Sequence, residues 1–288
     1  MDLHHFFSTI MNLSTLVFVV TSMLVMGLSL TSAQILAPLR NTRLVLAALA
    51  ANFILAPILA YGIGRVLPLS DGLRFGLILV STAAGAPFLP RLAQMAKADV
   101  AFSVGLMSLL VVVTIFYMPV VLPLLLRGVT VNPWAIARTL ILLMFLPLMA
   151  GLLTNARYEQ AAAGLVPYLA KTSNLALGTL LISGLIAYLS AIVEIVGITG
   201  ILAALLFLLS CLVAGTLLGG REYPIRTVLG LGTAQRNLAA ALAVATANFS
   251  EDPAVIVMIL VLGLVDLSVL LFIANLLGRR IYDSQPVG

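Results

Sequence analysis

The stretch GTAQRNLAAALAVATANF, Gly232 to Phe249, places an arginine inside a segment that otherwise reads as a membrane-spanning helix. A guanidinium at mid-bilayer depth costs about 3 to about 17 kcal/mol, depending on how it is measured. Either Arg236 has a compensating partner or the segment does not lie in lipid. Composition decides the second point. Of 288 residues, 62% are hydrophobic and only 9% charged, with mean hydropathy +1.20. Soluble domains carry roughly 25% charged residues. The chain therefore reads as an all-α polytopic membrane protein, with the lipid bilayer as its first partner. The formal charge of +5 comes from scattered basic residues, not a cluster, so it speaks for topology and against nucleic acid. A single cysteine, Cys211, excludes an internal disulfide and any Cys-based metal or redox motif. Met1 to Asn12 has no basic n-region, so no signal peptide is expected.

Working outward, apolar runs close to the roughly 20 residues of a crossing helix predict nine spans. They fall at about 12–32, 43–67, 73–96, 100–126, 134–155, 165–190, 196–219, 224–248 and 254–278. The runs are continuous rather than alternating, which speaks against a barrel. Short connections leave a single transmembrane domain over 1–288. Ten basic residues fall on one side (Arg40, Arg43, Arg91, Lys97, Arg157, Lys171, Arg221, Arg226, Arg279, Arg280) and four on the other (Arg65, Arg74, Arg127, Arg138). The positive-inside rule then predicts a cell (inner) membrane protein with its N-terminus outside and its C-terminus cytoplasmic.

Two spans are predicted to be interrupted near mid-membrane. The third carries Gly85, Pro87 and Pro90 in STAAGAPFLPRLAQMAKADVA, and each proline removes a backbone donor and clashes with the preceding turn. The eighth carries Gly230 and Gly232 in LGLGTAQRN, ahead of the polar triplet Gln235, Arg236 and Asn237. Breaks in corresponding spans five positions apart point to a transporter built from inverted repeats.

At these residues the chain resembles the bile acid:sodium symporter family. MGLSL at 26–30, ANFILAP at 51–57, KADVAFSVG at 97–105 and GTAQRNLAAALA at 232–243 stand in that family's order and spacing, and the GTxQRN variant is similar to bacterial members. The resemblance implies a core with two broken, crossing helices (about 43–126 and 196–278) and a panel (about 12–32 and 134–190). Many members have a tenth, N-terminal helix with no counterpart here. The resemblance also implies where ions would bind, and there the chain departs from the family. Where sodium-coupled members carry Gly-Thr-Ala-Ser-Asn, this chain has Ala86, Pro87, Phe88, Leu89 and Pro90, which offer no side-chain oxygen. The family's glutamate falls at Gly230, and its glutamine, asparagine and serine at Ala234, Gln235 and Arg236. Ser103 and Asn52 stand at ligand positions as a possible remnant of an ion site, while the next hydroxyl position is Met107. The two-sodium site is expected to be degraded.

Arg236 admits three readings. It forms an ion pair with Asp266, which lies mid-span in VLGLVDLSVL. It binds an anionic substrate together with Asn52, Gln235 and Asn237. Or it stands as a fixed cation in place of sodium while Asp266 titrates to couple protons. The expected function is secondary active transport of a small organic anion by alternating access. Sodium coupling through rebuilt sites, or a non-transporting receptor or sensor on the same fold, are the alternatives. No Walker, HExxH or GxSxG motif is present, no facing nucleophile and base can be picked out, and neither an enzyme nor a resident cofactor or metal is expected. Asn174, Asn275, Ser183 and Ser210 are expected to bond between helices, and Trp134 and Tyr168 to anchor at the interfaces.

Overall fold

The computed structural model describes residues 3–30, 41–126, 132–249 and 252–283. Arg40 and Arg127, which entered the charge count, lie outside the described residues. The described chain is helical, in the order α1 (Leu3–Ser29), α2 (Thr42–Val66), α3 (Asp71–Thr82), α4 (Leu89–Met95), α5 (Val100–Leu125), α6 (Pro133–Arg157), α7 (Glu159–Ala191), α8 (Gly197–Leu218), α9 (Tyr223–Ala234), α10 (Leu238–Asn248) and α11 (Pro253–Asp283). No strand occurs among the described residues.

Among the described residues, six helical segments are long and apolar enough to cross a membrane. One of them, Glu159–Leu218, runs for 60 residues. At about 1.5 Å per residue that is far more than one bilayer needs. A π turn at Ile192–Val196 and a positive φ of 53° at Gly197 divide it into α7 and α8. Large apolar side chains face outward around the molecule, among them Ile58, Phe116, Leu217 and Ile198, as lipid contact requires. Trp134, in the first turn of α6, and Tyr168, on α7, are exposed.

The interior is built on small residues. α1 packs on α6 and α7, and Gly27 and Gly151 let the first of these contacts close. A Cβ on Gly151 would lie 2.6 Å from the Leu24 carbonyl oxygen, and one on Gly27 would overlap Leu148. Ala239, Ala240, Ala241, Ala243 and Ala245 are all buried along α10.

Two elements are broken. The ladder of α3 stops at Thr82, residues 83–86 have no helical form, and α4 begins at Leu89. Gly85 has φ +80°, and a Cβ there would sit 2.5 Å from the Val111 amide nitrogen, so glycine is required on both counts. Pro87 lies in the break, whereas Pro90 stands in the first turn of α4, where its missing N–H costs nothing.

The second break corrects the sequence expectation. Gly230 and Gly232 are inside α9, and the chain leaves the helix three residues later, at Gln235 to Asn237. The two glycines serve packing. A Cβ on Gly230 would overlap the Thr216 hydroxyl, and one on Gly232 would come within 2.9 Å of Leu89 on α4. Ser183 and Ser210 are also corrected, since they donate to Thr179 and Phe207 on their own helices.

Candidate functional site: the crossing of the two broken helices

The two breaks meet and are stitched through backbone. Asn237 is the hub. Its N–H donates to the Ala83 carbonyl at 2.8 Å, its Nδ2 to the Gly85 carbonyl at 3.1 Å, and its Oδ1 accepts from the Ala240 N–H as the N-cap of α10. From α5, the Thr114 hydroxyl accepts from the Ala84 N–H and donates to the Ala84 carbonyl, both at 3.0 Å. The unwound backbone, which no helix ladder satisfies, is thereby satisfied from two sides.

Arg236 lies between these elements with 3% of its surface exposed. Its guanidinium does not pair with Asp266. Among the described residues the ion pair found is Arg74–Asp71. Instead, each of the five guanidinium N–H groups has an oxygen acceptor. Nε donates to the Val80 carbonyl (3.3 Å), and Nη1 to Asn52 Oδ1 (2.8 Å) and the Thr233 carbonyl (3.2 Å). Nη2 donates to the Asn52 carbonyl (3.3 Å) and the Ser81 carbonyl. Val80 and Ser81 end α3, and Thr233 ends α9. Two helix C-termini, each carrying about half a negative charge, therefore converge on one positive charge. This is the compensation that the sequence demanded, and it comes from four backbone carbonyls and the Asn52 side-chain oxygen.

The third wall of this cage is a π turn in α2, and its cause is local. Pro57 has no N–H to give to the carbonyl of Phe53, four residues earlier. The helix widens at Ala51–Leu55, and the Ala56 N–H reaches back to Ala51. The Asn52 carbonyl is thus released to Arg236, and the Phe53 carbonyl to the Tyr117 hydroxyl at 2.5 Å. Asn52 Nδ2 donates to Ala48 and to the Thr233 hydroxyl, which fixes the amide's orientation.

Beside the cage lies a cavity of about 70 Å³, well above the roughly 10–15 Å³ that holds one water. It opens between the crossing and the α1–α7 pair. Phe88, Gln235, Asn237 and Asp266 line it on one side, Phe18 and Leu181 on the other. Asp266, on α11, accepts from the Arg236 backbone N–H through Oδ2 at 3.4 Å. Asp266 Oδ1 and Gln235 Oε1 are buried with no hydrogen-bond partner.

These positions sort the residues proposed to hold substrate. Asn52 does not line the cavity, and its amide is engaged by Arg236, Ala48 and Thr233. Asn237 is occupied as the hub. The Arg236 guanidinium has no N–H left for an anion. Of these four residues, Gln235 alone lines the cavity and keeps an unpaired acceptor. Ser103 sits in the first turn of α5 and donates to Val100, so it joins neither cage nor cavity. Thr114 and Thr233 are the side chains that sequence reasoning missed. The carbonyls of the cage carry no side-chain signal at all.

Compared with known families, residues 16–217 match the sodium bile acid symporter family. None of the curated proteins compared gives a significant match.

Proposed function

The chain belongs to the sodium bile acid symporter family, and on that premise we propose a secondary active transporter that moves a small organic anion by alternating access without sodium. Membership makes it a multi-pass membrane transporter. The proposal concerns how it works. The chain crosses the membrane nine times: α1, α2, α5, α6, α7, α8 and α11 each cross once, and the interrupted pairs α3/α4 and α9/α10 each cross once. α2–α5 and α8–α11 form the core, and α1, α6 and α7 the panel, with the N-terminus outside.

One observation carries the coupling argument: the occupied cage around the Arg236 guanidinium. In transporters of this type, unwound carbonyls and half-helix C-termini are what hold a coupling cation. Here such a set of oxygens is filled by a charge that cannot leave. A tethered cation holds the crossing at all times and is carried nowhere, so sodium has no work to do at this place. Asp266, next to the solute cavity, is a buried group able to exchange a proton.

Flux in proteoliposomes tests this, using labelled carboxylates from keto acids to steroid conjugates with sodium or choline outside. Equal flux in the two buffers is expected. A steep sodium dependence with an apparent stoichiometry near two contradicts it.

A further inference from the structure

We propose that the cavity beside Asp266 and Gln235 receives a protonated amine, so that the solute carries an N–H donor as well as its acid group. The inference rests on reading the cavity as the transport site. It starts from two acceptor atoms, Asp266 Oδ1 and Gln235 Oε1, which are buried, unpartnered and on residues that line one cavity. Gln235 is 6% exposed and Asp266 8%. Buried polar atoms in native structures are almost always hydrogen-bonded, and each exception asks for a reason.

Neither Arg236 nor Asn237 gives these two oxygens a side-chain donor. The guanidinium nearest in sequence is turned away, with all its N–H groups on the cage oxygens. Asn237 Nδ2 is on Gly85. What Asp266 receives is one backbone N–H, through its other oxygen. The carboxylate also occupies the N-terminal end of α10, the place a bare anion would otherwise favour. A positive donor meets two acceptors that have no partner.

An ammonium group fits better than an alkali ion. A hard cation takes several oxygens, and beyond these two acceptors the lining is mostly apolar. The same lining suits the carbon attached to an amine: Phe18, Phe88, Leu177 and Leu181 share the cavity with Gln235 and Asp266.

Methylammonium is the probe, with tetramethylammonium (same charge, no N–H), acetate and sodium as controls. The readout is the apparent melting temperature of the purified full chain. Methylammonium is expected to give a saturable rise, and the controls none. Asp266→Asn is expected to weaken the response by about ten- to a hundred-fold in dissociation constant, the worth of a charge-assisted hydrogen bond. Gln235→Leu, which leaves Asp266 intact, is expected to weaken it less. A rise with acetate or sodium, an equal rise with tetramethylammonium, or no rise with methylammonium overturns the inference. Carboxylate flux reports on the transport proposal separately. An Asp266-dependent methylammonium response without any carboxylate flux would sink the transport reading and leave the amine site standing.

Discussion

On the side-chain face of Arg236, each guanidinium N–H meets an oxygen. On its backbone face, a few ångströms of chain away, Asp266 Oδ1 and Gln235 Oε1 meet nothing. Both regions are buried, polar and built at the same break between α9 and α10. The difference teaches what each is for. A satisfied network in a low-dielectric interior rigidifies and specifies one arrangement. An unsatisfied one keeps its free energy for something that arrives. The cage is the fixed joint of the crossing, and the cavity is the part left open.

Breaking the joint is expected to have the largest effect. Arg236→Ala takes a donor from five oxygens, of which the Val80 carbonyl keeps the Ala83 N–H, and removing one partner of a buried charged network costs about 3–5 kcal/mol in soluble proteins. A steep fall in apparent melting temperature is expected in the detergent-purified protein. Arg236→Lys restores part of it, because it keeps the charge with three donors in place of five. If alanine and wild type melt together, the cage contributes nothing.

Thr114→Val comes next. It removes a hydroxyl that both gives to and takes from Ala84, and a stranded buried group costs about 1–3 kcal/mol. Thr114→Ser keeps the bonds and is expected to melt close to wild type. Equal losses in the two variants would point to the methyl group instead.

Asp266→Asn should invert the pattern of Arg236→Ala. The amide oxygen still accepts from the Arg236 N–H, so stability changes little, while solute binding falls. A large stability loss with normal binding would place Asp266 in the joint instead of the cavity.

Ser103→Ala is the smallest. Its hydroxyl bonds its own helix, and the change is expected to stay within about 0.5 kcal/mol with unaltered sodium response. Any gain or loss of sodium effect would return Ser103 to an ion site.

The course of the chain was largely legible, because apolar runs of bilayer length and a Gly85–Pro87 interruption are strong local signals. The second break was misplaced by three residues. Glycine in a helix reads as a weakness, yet at Gly230 and Gly232 it is demanded by Thr216 and Leu89, and packing partners are invisible in one dimension. Pro57 was on the page, but its consequence, a π turn that frees the carbonyls of Asn52 and Phe53, depends on Arg236 and Tyr117 arriving to use them. Of the three readings of Arg236, the ion pair with Asp266 fails for the same reason. A search among side chains finds Asp266, since it is the acid buried within a helix. The actual partners are Asn52, through its amide and its carbonyl, and carbonyls at the ends of α3 and α9, which any sequence possesses and only a fold aims.

The cage itself is tested most directly by chemical rescue. Arg236→Ala leaves the five oxygens in place around an empty volume of guanidinium shape. Its apparent melting temperature is measured in millimolar guanidinium chloride against choline chloride of equal ionic strength, with wild type alongside. A saturable rise in the variant and none in wild type is the predicted result. No rise, or the same rise in both proteins, would contradict a crossing held together by a tethered cation.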